Sequence, residues 1–154
     1  MQIRQITDLD IANLLSVEEA AQHSPWSEAA FKRCFEANYV GWAMEVPNKM
    51  VGFIMISMVS GECHVLNLCI HPTEQHKGFG KGLLLYALNW AKNQRAGIVY
   101  LEVRRSNLAA IGLYRKMNFK LIGERKGYYP VLNSPREDAL IFARDLGIEG
   151  IEID

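Results

Sequence analysis

The sequence predicts an α/β fold in which a mixed, mostly antiparallel sheet carries helices on both faces. Apolar runs typical of strands and stretches typical of helices follow one another in the order β-α-α-β-β-β-α-β-α-β-β. This order describes a sheet covered by helices. The length of 154 residues is that of one domain with its own core. We therefore expect a single domain over residues 1–146 and a short acidic tail over residues 147–154.

In the N-terminal half, helix caps and a turn sequence separate the expected elements. Thr7 and Ser27 are suited to cap two successive helices, and residues 23–26 interrupt the chain between them. Pro47-Asn48-Lys49 has the composition of a hairpin turn. The elements expected here are strands over residues 1–6, 39–46 and 51–59, and helices over residues 7–21 and from Ser27 onward.

In the C-terminal half, glycine-bearing segments separate the elements. Ser60-Gly61 is suited to a turn, and Arg95-Ala96-Gly97 stands before a strand. The elements expected here are strands over residues 65–70, 98–103, 119–128 and 138–145, and helices over residues 83–91 and 107–117.

Composition narrows the class of protein. The 17 basic and 17 acidic residues cancel, which argues against a nucleic-acid or membrane surface. No apolar run approaches the length of a membrane span, and the N-terminus lacks the apolar core of a signal peptide. We therefore expect a soluble, cytoplasmic protein.

The three cysteines favour neither a disulfide framework nor a metal site. Their number is odd and they are scattered along the chain. Cys63 and Cys69 belong to one expected strand and would lie roughly 20 Å apart, at about 3.3 Å per residue. No tetrahedral zinc site spans that distance, so we expect buried thiols and no metal.

The segment over residues 75–82 is expected to bind a pyrophosphate. A strand, a glycine-bearing loop and a helix follow one another here, which directs backbone N–H groups and the positive end of the helix at one point. Gly78 and Gly80 allow the backbone to approach phosphate oxygens closely. The donor and positively charged side chains are those of His76, Lys77 and Lys81. An ordinary glycine-rich turn is the alternative.

Two well-known phosphate-binding motifs do not match this segment. A P-loop requires a hydroxyl residue after Lys81, where Gly82 stands, and a dinucleotide fingerprint requires a third glycine where Leu83 stands. The remaining pattern, Q-x-x-G-x-G, resembles the central motif of the GNAT family of acetyl-CoA-dependent N-acetyltransferases.

A second segment, Leu101 to Tyr114, resembles the RimI-type group of that family, whose members acetylate protein N-termini. It matches the pattern L-E-V-R-x-S-N-x-x-A-x-x-L-Y. Three further patches agree with the group: Pro25-Trp26-Ser27, Gly127-Tyr128-Tyr129-Pro130 and Arg136-Glu137-Asp138-Ala139. The resemblance extends from about Ile3 to Leu146. It implies the GNAT fold, in which the fourth and fifth strands splay apart.

The resemblance also implies site residues. Glu102, in an otherwise apolar strand, would be the general base, and Tyr114 would protonate the leaving thiolate. The residues assigned to acetyl-CoA are Leu68, Cys69, Ile70, His76, Lys77, Gly78, Phe79, Gly80, Lys81 and Asn107. The three aromatic residues expected to flank the acceptor groove are Trp26, Tyr128 and Tyr129.

A purely structural role is the alternative for each of Glu102, Tyr114 and Asn107. Glu102 could form a salt bridge with Arg104 or Lys126. Tyr114 could be a core tyrosine, and the side chain of Asn107 is suited to cap its helix.

The expected reaction is direct acetyl transfer within a ternary complex, since no His–acid pair stands at a spacing that would activate a cysteine. A protein α-amino group, with a pKa of about 7.7–8.0, is easier to deprotonate than a lysine, at about 10.4. The resemblance points to the N-terminal alanine of small-subunit ribosomal protein number eighteen. The alternatives are other N-termini, lysines or a small amine, and a catalytically silent CoA-binding regulatory module.

Overall fold

The structure, a computed structural model, describes residues 1–131 and 136–147. The strands are β1 Gln2–Gln5, β2 Val40–Val46, β3 Lys49–Val59, β4 Glu62–Ile70, β5 Ile98–Arg104, β6 Lys120–Tyr129 and β7 Glu137–Asp145. The helices are α1 Ile11–Ala21, α2 Glu28–Glu36, α3 Phe79–Asn93 and α4 Leu108–Lys116, and Asp8–Asp10 and Pro72–Glu74 form short 3-10 helices. The tail predicted after residue 146 lies, from residue 148 onward, outside the described residues.

The order of the strands in the sheet is β1-β2-β3-β4-β5-β7-β6. The β1–β2, β2–β3, β5–β7 and β6–β7 pairs are antiparallel. Strand β5 follows β4 through helix α3, which is the kind of crossover connection that joins parallel neighbours. The sheet is therefore mixed and mostly antiparallel, as predicted.

The chain divides into two structural units. The first consists of residues Met1–Met58 and Val65–Ala91, and the second of Val59–His64 and the described residues from Lys92 onward. Strands β3 and β4 and helix α3 each contribute residues to both units.

In the first unit, helices pack on both faces of the strands. Phe31 of α2 contacts Phe53 of β3, with ring centroids 5.7 Å apart. Trp42 of β2 faces the other way and contacts Trp90 of α3, at 5.3 Å. Alternate residues of a strand point to opposite faces, so the two contacts lie on opposite sides of the sheet. The buried core on the α1 and α2 side includes Ile6, Ile11, Leu14, Val17, Phe31, Cys34, Ala43, Phe53, Met55 and Cys69.

Side-chain caps begin both N-terminal helical segments, as the sequence predicted. The side chain of Thr7 accepts a hydrogen bond from Leu9 N, and Ser27 Oγ accepts one from Ala30 N at 3.1 Å. Each satisfies a backbone donor that has no partner within its own helix. The local signals at these two positions are therefore confirmed.

In the second unit, α4 packs on the sheet through aromatic side chains. Tyr114 contacts Phe119 and Phe142, with ring centroids 5.8 and 6.4 Å apart. The register aligns Glu102 of β5 with Ile141 of β7, and Ile141 in turn with Gly123 of β6. Strand β7 therefore lies between β5 and β6.

No helix in the described ranges is both long enough and apolar enough to cross a membrane.

Candidate active site

The loop after β4 leads to the N-terminus of α3. His76 and Gly78 have positive φ angles of 66° and 86°. The first bond within α3 runs from Gly82 N to Gly78 O, at 3.0 Å. The amides of residues 79–81 precede that bond and have no acceptor within the helix. Such amides, at the positive end of the helix dipole, are suited to bind a phosphate group.

The structure corrects the start of this helix. The sequence predicted a helix over residues 83–91, whereas α3 begins at Phe79. The prediction missed the first turn because Gly80 and Gly82 are poor helix formers. Of the residues assigned to the pyrophosphate, His76, Lys77 and Gly78 stay in the loop, and Phe79, Gly80 and Lys81 form the first helical turn.

Polar side chains hold this loop against the end of β4. Gln75, the first residue of the glycine motif, donates from Nε2 to the carbonyl oxygen of Ile70 at 3.0 Å. Lys77 Nζ lies 3.1 Å from a carboxylate oxygen of Glu74, which also pairs with Lys49 at 3.3 Å. The hydrogen bond from Lys77 lowers the pKa of Glu74. The positive charge predicted for Lys77 is therefore partly balanced by Glu74.

The three predicted cofactor residues of β4 differ in burial. Leu68 and Ile70 are half-buried, whereas Cys69 is buried and its Sγ lies 3.7 Å from Val17 O. Burial raises the pKa of the Cys69 thiol well above its usual value. The thiol is therefore protonated at neutral pH and is a poor nucleophile.

A buried carboxylate that the sequence reading missed links three parts of the first unit. Glu18 of α1 is 1% exposed. Its Oε2 accepts from Trp26 N and its Oε1 from Asn67 Nδ2, both at 2.9 Å. The signal was present, because Glu18 follows Ile11 by seven residues and Leu14 by four and so lies on the apolar face of α1.

Glu102 is directed to the half-exposed face of β5. Its neighbours Leu101 and Val103 are buried on the other face, whereas the Glu102 side chain is 30% exposed. Arg125 Nε donates to Glu102 Oε2 at 2.6 Å. The sequence predicted Arg104 or Lys126 as an alternative salt-bridge partner of Glu102. Both predictions were wrong, because each of these cations pairs with another carboxylate. Those pairs are Arg104–Glu137 at 3.3 Å and Lys126–Glu124 at 3.0 Å.

Two tyrosines lie in the surroundings of Glu102. Arg125 also lies over the ring of Tyr128, with 5.5 Å from its guanidinium carbon to the ring centroid. Arg104 lies over the ring of Tyr129 at 4.4 Å. Burial, followed by the negative charge of Glu102, raises the pKa of Tyr129 to about 12. The predicted base and the predicted acceptor-side tyrosines are therefore neighbours within the second unit.

Helix α4 carries Asn107 at its start and Tyr114 two turns later. Asn107 Oδ1 accepts from Ala110 N at 3.2 Å, so this side chain caps the helix. Tyr114 is buried, and burial, with a smaller effect of Tyr129, raises the pKa of its hydroxyl. Asn107 is therefore a helix cap and Tyr114 is a core tyrosine, as the two structural alternatives predicted.

The predicted site residues are distributed over both units. Leu68–Ile70 and residues 76–81 belong to the first unit, and Glu102, Asn107 and Tyr114 belong to the second. Within the described part of the chain, no cluster of three or more His, Cys, Asp or Glu side chains could hold a metal ion.

Comparison with known proteins identifies the family. Residues 6–119 match the model of the Acetyltransferase (GNAT) family. The [ribosomal protein bS18]-alanine N-acetyltransferase of Escherichia coli K12 is 31% identical over 141 residues, which are 92% of this chain and 95% of that protein. The Haemophilus influenzae enzyme of the same name is 35% identical over 92% of this chain and 96% of its own length. The N-alpha-acetyltransferase RimI of Mycobacterium tuberculosis is 37% identical over 80% of this chain and 77% of its own length.

Solved structures agree with the sequence comparison. The crystal structure of the ribosomal-protein-S18-alanine N-acetyltransferase from Escherichia coli has a TM-score of 0.89 and 30% identity, with 94% of this chain and 93% of that chain covered. An N-acetyltransferase structure from Staphylococcus aureus Mu50 has a TM-score of 0.80 at 18% identity, covers 94% and 98% of the two chains, and supports the fold. The chain belongs to the GNAT family of acetyltransferases and has the GNAT fold.

Proposed function

We propose that this chain transfers the acetyl group of acetyl-CoA to the α-amino group of the N-terminal alanine of ribosomal protein bS18. The observation that carries the proposal is the similarity, over 92% of the chain, to enzymes named for that reaction. We also propose that residues 1–146 act as one catalytic domain in the cytoplasm, where ribosomal proteins are made, without a nucleic-acid or membrane partner.

The N-terminus of α3 is the proposed site for the pyrophosphate of acetyl-CoA. The amides of residues 79–81 have no acceptor within the helix, as anion binding requires. A Cβ added to Gly78 would meet nothing within 4 Å, so the space beside this glycine is open. We assign the pantetheine arm to the backbone of Leu68–Ile70 and to Asn107. The amides of residues 79–81 and the open space beside Gly78 fit a pyrophosphate group.

Glu102 is the proposed general base. A half-exposed carboxylate is accessible to an incoming ammonium group and can take one of its protons. Arg125 holds one carboxylate oxygen, so the amine must approach the other oxygen or displace the guanidinium. The pKa of about 7.7–8.0 for an α-amino group makes this deprotonation easier than that of a lysine.

Tyr114 is the proposed general acid. Acetyl-CoA supplies a thioester, from which a thiolate departs when the amine is acylated. Burial raises the pKa of the Tyr114 hydroxyl, so this hydroxyl is protonated throughout the neutral range. The raised pKa also makes it a weaker acid, so its proton is transferred only as negative charge develops on the departing thiolate. Because burial also keeps the Cys69 thiol protonated, we favour direct transfer to the amine over transfer through a cysteine.

Matched peptides test the acceptor. The substrates share a basic continuation and begin with Ala, Ser, Leu or formyl-blocked Ala, and initial rates are measured with acetyl-CoA by mass spectrometry. We expect the fastest transfer to Ala and none to blocked Ala, even where internal lysines remain. Equal rates on free and blocked peptides would instead identify a lysine acetyltransferase. Transfer only to a small amine would overturn the ribosomal acceptor, and the absence of CoA release with every acceptor would indicate a binding module.

A further inference from the structure

The segment between β5 and α4 is held from β7 by a carboxylate. Glu137 Oε2 accepts from Ser106 N at 2.6 Å, and Glu137 Oε1 accepts from Arg104 Nη1 at 3.3 Å. A hydrogen bond from the side chain of Ser106 is the largest cause of the lowered pKa of Glu137, and the bond from the Ser106 amide lowers it further. Ser106 directly precedes Asn107, the cap of α4. Glu137 therefore fixes the backbone from which α4 starts.

The next residue, Asp138, holds a second segment, and its Oδ2 also accepts from Arg105 Nε of the first segment at 3.3 Å. Asp138 Oδ1 accepts from Gly127 N at 2.9 Å, and this bond is the largest cause of the lowered pKa of Asp138. Gly127 has a φ of 59° and lies where the β6–β7 register shifts, between Arg125 and Tyr129. Asp138 therefore fixes an irregular part of β6 directly before Tyr128 and Tyr129.

Arg136 holds the same irregular part through its carbonyl groups. Its Nε donates to Gly127 O at 2.6 Å and its Nη2 donates to Tyr128 O at 3.0 Å. Donors from Arg136 and an acceptor from Asp138 thus satisfy successive backbone groups of β6. In a regular ladder these backbone groups would form hydrogen bonds with the neighbouring strand. The register shift removes that pairing, so the side chains of Arg136 and Asp138 take its place.

We propose that Arg136-Glu137-Asp138 is a positioning triplet whose hydrogen bonds with the backbone position parts of both substrate sites. Glu137 positions the start of α4, with Asn107, for acetyl-CoA. Asp138 and Arg136 position Tyr128 and Tyr129, the neighbours of Glu102, for the acceptor. The inference rests on the proposed function for the identity of the two substrates. The contacts with the backbone are independent of it.

Steady-state kinetics with each substrate varied in turn tests this division of roles. Glu137→Ala should raise the KM for acetyl-CoA about five- to tenfold, the loss expected for one hydrogen bond with the backbone. It should raise the acceptor KM by a smaller factor, because Glu137 also pairs with Arg104, which lies over the ring of Tyr129. Asp138→Ala should raise the acceptor KM by the larger factor and the KM for acetyl-CoA by the smaller one, because Asp138 also accepts from Arg105. Glu137→Gln and Asp138→Asn keep an acceptor oxygen and should restore most of each loss. The control is Glu124→Ala, because Glu124 forms ion pairs with the side chains of Arg105 and Lys126.

Amide hydrogen exchange provides a readout that needs no acceptor. Exchange at Ser106 should accelerate about tenfold in Glu137→Ala, and exchange at Gly127 should accelerate similarly in Asp138→Ala, because each amide loses its acceptor. The calorimetric affinity for acetyl-CoA should fall more in Glu137→Ala than in Asp138→Ala. If the wild type acetylates no alanine peptide, the proposed function fails, and exchange and calorimetry still decide the inference. Equal effects of both variants on both substrates, or unchanged exchange at the two amides, would overturn it.

Discussion

At the residue scale, Glu18 and Glu102 are carboxylates in opposite surroundings. Glu18 is 1% exposed, and both of its oxygens accept hydrogen bonds from the chain itself. The Glu102 side chain is 30% exposed and pairs with an exposed cation, Arg125. A base that deprotonates an incoming amine must be accessible to it. Glu102 is therefore suited to proton transfer, and Glu18 is suited to hold Trp26 and Asn67 in place.

We predict that Glu102→Gln lowers kcat roughly 10²–10⁴-fold, the usual contribution of a general base. The amide has nearly the same shape and can still accept from Arg125, but it cannot take a proton at neutral pH. The calorimetric affinity for acetyl-CoA should be unchanged. Glu124→Gln on β6 is the matched control and should keep the wild-type rate. A wild-type rate for Glu102→Gln throughout the neutral range would show that Glu102 is structural.

The buried hydrogen bond between Glu18 and Asn67 leads to a second prediction. Asn67→Asp would replace a donor with a carboxylate beside the buried Glu18 carboxylate, and should cost roughly 1–3 kcal/mol of unfolding free energy or more. Glu18→Gln should be mild, because a rotated Asn67 amide can accept from Gln. The double variant restores one donor and one acceptor and should recover most of the stability. Denaturant unfolding measures this cycle, and additive losses in the double variant would contradict the direct contact.

At the element scale, the first turn of α3 contains two glycines and is preceded by a third, and their roles differ. Gly78, before the helix, has a φ of 86° and open space where a Cβ would be. Gly82, within the helix, would place a Cβ 3.5 Å from Met44 Cε, an ordinary van der Waals contact. The space beside Gly78 is thus available to a ligand, whereas the space beside Gly82 is directed at a side chain of β2.

We predict that Gly78→Asn weakens acetyl-CoA binding and leaves the fold intact. Asn tolerates a positive φ, so the added side chain should interfere mainly with an approaching phosphate group. Gly82→Ala is the matched control. It should raise the unfolding free energy by about 0.5–1 kcal/mol, because alanine favours a helix over glycine, and leave the affinity unchanged. Calorimetric titration and denaturant unfolding measure both variants, and wild-type affinity in Gly78→Asn would remove the pyrophosphate from this helix.

At the scale of the whole molecule, local signals in the sequence located most elements. Thr7, Ser27 and Asn107 each cap the helical segment that was predicted to follow. These signals depend on the bonding of a side chain to its own chain neighbours, so the sequence contains them in full. The GNAT fold followed from motifs in order, and the family match confirms it.

Contacts between residues that are distant in the sequence could not be predicted from such local signals. The register across β7 aligns Arg125 of β6 with Arg104 of β5, so Arg125 lies on the same face as Glu102, whereas Lys126, one residue further, alternates to the other face. Arg104 shares the face of Glu102 but pairs with Glu137. The role of Glu18 depends on Asn67, which is 49 residues away in the sequence and which only the folded chain brings near. The roles assigned to the predicted site residues remain predictions, because they depend on bound substrates.

The stability of the protein should depend on pH through groups with opposite pKa shifts. Hydrogen bonding by Arg4 lowers the pKa of Asp10 from 3.8, so its contribution is present above that value and is lost as the pH falls through the folded-state pKa. Burial raises the pKa of the Cys63 thiol from 9.0 to about 12. The contribution of Cys63 to stability is fully present below the pKa of the thiol in the unfolded chain. It is lost as the pH rises from about 9 towards the pKa of the thiol in the folded protein.

We therefore predict an unfolding free energy that is nearly constant between about pH 5 and 8 and falls on both sides. Asp10→Asn should lower the plateau, because the ion pair with Arg4 at 2.8 Å is lost, and should also reduce the slope of the acid side. Cys63→Ala should reduce the slope above about pH 9, where the unfolded thiol ionises and the buried one does not. Denaturant unfolding at a series of pH values measures both slopes. An unchanged alkaline slope in Cys63→Ala would mean that burial of this thiol does not cause the alkaline loss, and the buried Cys69 and Tyr114 hydroxyl would then have to account for it.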